Sequence, residues 1–169
     1  MKNKTKRVAL AGVLSAAAVV LMSLGSVITA LDMTAAFAAG FAVIIARIEC
    51  DRVTAWSVYA AAGLLSFLLL PNKNTAIVFL CYGGIYPIIK EFCEHIKIKP
   101  VMWAVKIIAS NILLTAVVWL GMYFTVETDE PLGFVWWVYV LGNFIFLAYD
   151  IALTLIISKY YVLFKHRRS

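Results

Sequence analysis

Two charged side chains stand where charge is costly. Asp150 lies inside the apolar run FIFLAYDIALTLIIS, residues 144–158, and Lys106 lies in VMWAVKIIAS, six residues after Pro100. On insertion scales a charged side chain at the centre of a transmembrane helix costs about 2.5 to 3.5 kcal/mol, so such groups pair, face water or carry a function. At 1.5 Å of rise per residue Asp150 lies roughly 13 Å before Lys159, and Lys106 roughly 9 Å after Pro100. Antiparallel neighbouring helices would bring these opposite charges to similar depth. The expectation is an intramembrane Lys106–Asp150 pair that holds two helices together, with a proton or cation site on Asp150 as the alternative. Tyr139, Asn143, Asp150 and Thr154 fall close to one stripe at helical spacing, and Asn111 lies at middle depth on the preceding apolar segment.

A second group of candidates comes from backbone chemistry. In TAIVFLCYGGIYPIIKEF, Gly83 and Gly84 followed by Pro87 weaken a helix and kink it. Backbone groups freed at membrane depth need protein, water or ligand as partners. This interruption therefore points to a cavity with Tyr82 and Tyr86 as wall residues, or to a plain packing kink. Near the N-terminus, ALAGVLSAAAVV sets Ala11 and Ser15, and Gly12 and Ala16, at small-xxx-small spacing, which lets helix backbones approach closely. Internal packing and a docking face for a partner membrane protein are the two readings.

Enzyme chemistry is not indicated. Cys50, Asp51, Cys93 and His95 include metal-ligand types, but CD and CEH lack the paired spacing of a zinc site. There is no nucleophile motif, phosphate-cradling glycine loop or HExxH pattern. The expectation is no catalysis, no metal and no cofactor, with the three cysteines as reduced thiols.

The elements that must position these residues follow from hydropathy. The 169 residues are 64% hydrophobic with a mean hydropathy of +0.94, against roughly 45 to 50% apolar in a soluble domain. A crossing of the ~30 Å hydrocarbon core needs about 20 residues. Six spans emerge, at 8–28, 33–48, 53–70, 75–92, 101–124 and 134–158, joined by TALD, ECDR, PNKN, EHIKIKP and TVETDEPLG. The basic start and apolar continuation of MKNKTKRVALAGVLSAAAVV read as an uncleaved first span rather than a removed signal. The fold class is all-α, a single bundle of six transmembrane helices over residues 1–169.

Charge orients the bundle. With the N-terminus in the cytoplasm, Lys2, Lys4, Lys6, Arg7, Arg47, Arg52, Lys90, Lys97, Lys99, Lys159, Lys165, Arg167 and Arg168 fall on the inner face, which is where Lys and Arg collect. Lys73 falls outside and Lys106 a turn or two into the fifth span. An odd number of spans breaks the pattern, so both ends are cytoplasmic. Trp119, Tyr123, Trp136 and Trp137 then form an outer aromatic belt and Trp56, Trp103, Tyr160 and Tyr161 an inner one. The net charge of +6 is accounted for by topology, and nucleic acid is not an expected partner. No internal repeat of the kind found in inverted-repeat transporters is visible.

The basic N-terminus leading into a small-residue first helix, the six spans, the cytoplasmic ends and the length together resemble the substrate-binding S components of energy-coupling factor transporters. That family commonly shows AxxxA in the first helix, where it meets the membrane coupling subunit. Here the first helix has Ala11 to Ser15 and Gly12 to Ala16, while full AxxxA steps occur in the second, at Ala35 to Ala39, Ala38 to Ala42 and Ala42 to Ala46. The resemblance implies a vitamin or other micronutrient bound near the outer side, with Trp119, Tyr123, Trp136, Tyr139, Asn143, Asn72 and Asn74 as its contacts. It also implies a coupling subunit and ATPases as partners in trans, in a bacterial plasma membrane. Two other classes remain open: a scaffold for cell-envelope machinery of the rod-shape-determining type, and an autonomous ion-coupled carrier using Asp150.

Overall fold

The computed structural model describes residues 4–94, 96, 98–124 and 136–165, and among them every regular element is helical. The helices are α1 (Lys4–Val27), α2 (Asp32–Glu49), α3 (Arg52–Leu69), α4 (Lys73–Val78), α5 (Tyr86–Glu94), α6 (Lys99–Phe124) and α7 (Trp136–Lys165). A π-helical segment, Phe79–Gly83, joins α4 to α5, so these two form one interrupted rod. Six rods therefore stand where six spans are expected. Five of them are long and apolar enough to cross a membrane by length and composition. The sixth, α2, is 18 residues long and carries Asp32, Arg47 and Glu49 at its ends. The connection TVETDEP, His95 and the side chain of Trp136 lie outside the described residues.

The chain divides into two compact units, residues 1–132 and 133–169. In the first, α1, α2 and α3 pack through small side chains: Ala18, Ala36, Ala39, Ala42, Ala46, Ala55 and Ala62 are all in its core, with Met22, Val43 and Val58 filling between them. Helices so faced approach closely, which supplies dispersion contacts where hydrocarbon offers no hydrophobic drive. The α4–α5 rod is the most enclosed of the candidate spans, with 67% of its apolar window buried. The second unit is α7, a single helix of 30 residues.

The interruption in the α4–α5 rod has a local cause. A Cβ on Gly83 would stand 2.6 Å from the Ala36 carbonyl oxygen of α2, so only glycine permits this approach. The Gly84 amide donates to Phe79 O at 2.7 Å, one residue further back than an α-helix would use. That leaves the Leu80 carbonyl without its usual amide, and the Tyr59 hydroxyl of α3 donates to it at 2.7 Å. Pro87 sits in the first turn of α5, where its missing N–H costs nothing. The Leu80 carbonyl released at this interruption is thus satisfied within the protein.

Candidate functional site: a polar seam on the interrupted helix

Both ends of the first unit are tied by polar side chains. At one end Arg7 of α1 meets Asp51 at 2.6 Å, and Arg47 of α2 forms a two-pronged contact with Glu91 of α5 at 2.7 and 2.6 Å. Arg52 reaches the same Glu91 at 3.1 Å and lies over the Phe92 ring, 4.4 Å from its centroid. Asp51 also caps α3, accepting from the Thr54 amide at 2.9 Å and the Thr54 hydroxyl at 2.6 Å. Those two bonds, the hydroxyl's first, hold its carboxyl below the usual carboxylate range; burial opposes them and the Arg7 charge adds to them. The starts of α1 and α3 and the ends of α2 and α5 therefore share one end of the bundle.

At the other end Asp32, buried at the start of α2, accepts from the Thr75 hydroxyl and, at 2.9 Å, from the Asn72 side-chain Nδ2. Asn72 also accepts from the Asn74 amide at 2.9 Å, capping α4, and its own amide N–H donates to Ser26 Oγ at 3.1 Å. Lys73 donates to the Phe67 and Leu70 carbonyls that close α3, at 2.7 and 2.8 Å. A carboxylate at a helix N-terminus is favoured by the exposed amides there. Asn72, expected to contact a ligand, is thus engaged in joining α1, α2 and α4. Asn74 lies beside α6, its Oδ1 3.9 Å from where a Cβ on Gly121 would stand.

Between these ends a polar seam runs along the interrupted rod. Tyr82, Tyr86, Lys90 and Glu94 recur every fourth residue, and the first three are buried, Tyr86 and Lys90 almost completely. The Tyr82 hydroxyl and Ser110 Oγ of α6 are 2.5 Å apart. The rings of Tyr82 and Tyr86 stack at 6.0 Å, and Phe37 meets Tyr82 edge-on at 5.5 Å. One turn before Ser110, buried Lys106 faces the same rod. Lys90 Nζ lies 3.3 Å and Lys106 Nζ 3.7 Å from a single atom, Glu94 Oε1. Lys106 also lies 5.4 Å from the centroid of Trp103, within cation–π range.

The residues singled out in the sequence separate accordingly. Tyr82, Tyr86 and Lys106 come together in the seam. Lys90, Glu94 and Ser110 complete the seam, and the four-residue recurrence from Tyr82 to Glu94 is the signal in the sequence for the first two; Asp32, likewise unexpected, belongs to the knot at the other end. Within the first unit Lys106 is held by Glu94, while its expected partner Asp150 belongs to the second. In α7 the Thr154 hydroxyl donates to Asp150 O, and the Asn143 side-chain amide to Tyr139 O, both at 2.8 Å. Trp119 and Tyr123 are exposed rings near the end of α6. In α1, Ser15 is buried and Ala11 packs on the core, whereas Gly12 and Ala16 are exposed and nothing stands within 4 Å of a Cβ on Gly12. The two small-residue pairs thus point differently, one into the bundle and one away.

Cys50, Cys81 and Cys93 are free thiols, and no metal-holding group of three His, Cys, Asp or Glu occurs among the described residues. Compared with protein-family models, with curated proteins and with solved structures, the chain matches none.

Proposed function

We propose that the chain is an integral membrane protein of six transmembrane helices, with both ends in the cytoplasm, that binds a small solute for uptake. The observation that carries this reading is the polar seam from Tyr82 to Lys106. Ionisable groups within a membrane are costly and mark substrate or ion pathways, and π-bulges inside helices are frequent at functional sites. Here both features fall on the enclosed rod, with the Tyr82 hydroxyl and the Lys90 ammonium on it and Ser110 and Lys106 facing it from α6.

The orientation is supported by the two tied ends. Arg7, Arg47, Arg52, Lys90 and Lys106 gather at the end that holds the starts of α1, α3 and α6 and the ends of α2 and α5. Alternating crossings require that arrangement, and a basic end belongs in the cytoplasm. The chain has no phosphate-cradling loop, so energy for uptake comes from a coupling subunit and ATPases in trans, as in the S components it resembles. A vitamin or similar micronutrient is the solute class.

Affinity purification from native membranes in mild detergent tests this reading. A membrane coupling subunit and ATPases should co-purify. Recovery of cell-wall synthases in their place would replace uptake by a scaffolding role.

A further inference from the structure

We propose that Arg52, Phe92 and Trp56 form a seat for one phospholipid with an anionic headgroup, on the outer surface of the bundle where the start of α3 meets α5. The inference rests only on the membrane-spanning part of the reading above and is independent of solute uptake.

Three observations carry it. The first is that Arg52 has donors to spare. It gives Glu91 one nitrogen, Nη2, at 3.1 Å, while Arg47 already holds both oxygens of that carboxylate at 2.7 and 2.6 Å. Among the described residues the Arg52 Nε and Nη1 groups meet no acceptor, and 45% of the side chain is exposed. A planar guanidinium fork matches phosphate oxygens in a way that a shared carboxylate oxygen does not use. The second is the apolar surface around it. The guanidinium lies 4.4 Å from the centroid of the exposed Phe92 ring, Val53 beside it is exposed, and Trp56, one turn further along α3, is exposed and meets Tyr59 edge-on at 5.7 Å. Tryptophan favours the headgroup level of a bilayer, so the charge sits at that level with apolar surface for an acyl chain directly alongside. The third is the balance of charge at this end of the bundle. Asp51 and Glu91 are engaged by Arg7 and Arg47, whereas Lys4, Lys6 and Lys99 are exposed and, among the described residues, meet no carboxylate. That surplus attracts an anionic lipid, and Arg52 on its aromatic platform fixes where the phosphate rests.

Native mass spectrometry of the full-length protein from mixed micelles of phosphatidylcholine and phosphatidylglycerol tests the proposal by the lipid the protein keeps. One phosphatidylglycerol should be retained in preference to phosphatidylcholine. Arg52→Gln should lower that preference about fivefold, the weight of one basic group at an anionic surface. Phe92→Ala removes the platform and leaves the Arg52–Glu91 pair in place; it should lower the preference too, which keeps the test decisive if Arg52→Gln does not fold. Lys99→Gln takes away a charge at the same end outside the seat and should change the preference little. Equal retention of the two lipids by the wild type, an unchanged preference in both Arg52→Gln and Phe92→Ala, or a loss in Lys99→Gln as large as in Arg52→Gln overturns the seat. Release of the phosphatidylglycerol by excess inorganic phosphate overturns it as well, because the site then belongs to a free anion. Flotation of the full chain with phosphatidylcholine vesicles at alkaline pH reads the spanning helices separately: a chain that floats without lipid preference has spans and no seat, whereas one that does not float fails the membrane-spanning reading itself.

Discussion

Tyr59 shows how much one side chain can decide. Its hydroxyl takes the Leu80 carbonyl that the π-helical segment releases, and a buried carbonyl left without a partner costs about 1 to 3 kcal/mol. Tyr59→Phe should therefore lose stability in that range, read by denaturant or thermal unfolding in detergent, while Tyr123→Phe, at an exposed ring, should change it little. Asp51 yields a prediction in pH. Its carboxyl is held below the ordinary value of 3.8 by the Thr54 bonds and Arg7. The folded state thus takes up the proton less readily than the unfolded chain. Its contribution is fully present above the unfolded value and is lost as pH falls through the lower, folded one. Asparagine caps a helix as well as aspartate does, so Asp51→Asn removes mainly the charge. The difference in unfolding temperature between wild type and Asp51→Asn should be constant from neutral pH down to the carboxylate range and should shrink below it.

At the scale of elements, Gly83 sets the approach of the interrupted rod to α2. Gly83→Ala would press a methyl against the Ala36 backbone, which cannot move aside as a flexible side chain would. It should destabilise by about 1 to 3 kcal/mol through overpacking, whereas Gly12→Ala, which meets open space, should be neutral or slightly stabilising through helix propensity. Equilibrium unfolding of the two variants side by side checks both. The rods themselves were legible in the sequence because hydropathy over about 20 residues is a local signal, and the six apolar segments coincide with the six helical rods. The kink was legible too, from Gly83, Gly84 and Pro87, but its form was not: the π-helical hydrogen bonding depends on Tyr59, 21 positions away, and on contact with Ala36. The same distance hid the seam. Lys90 read as an inner-face charge at the end of the fourth span and Glu94 as part of the following connection, because their meeting with Lys106 of α6 lies outside their own segment. Asn72 read as a ligand contact because its partner Asp32 is 40 positions away. Long-range pairing of polar groups is what one sequence cannot display.

At the scale of the whole molecule, two opposite polar ties bound an alanine-rich bundle. One is a charged network through Arg7, Arg47, Asp51, Arg52 and Glu91, the other a buried knot of Asp32, Thr75, Asn72 and Ser26. Holding helix ends in this way leaves the enclosed rod between them to carry Tyr82, Tyr86 and Lys90 of the seam, with Ser110 facing Tyr82 from α6, and the central claim is that this seam binds a small solute. Native mass spectrometry of the wild type and of Tyr82→Phe, extracted identically from cells in rich medium without added ligand, tests it most directly. The account predicts a small-molecule adduct on the wild type and, with the hydroxyl at the seam removed, occupancy lower by on the order of tenfold at matched concentration. A wild type without adduct, or an adduct of equal occupancy on both proteins, would contradict it.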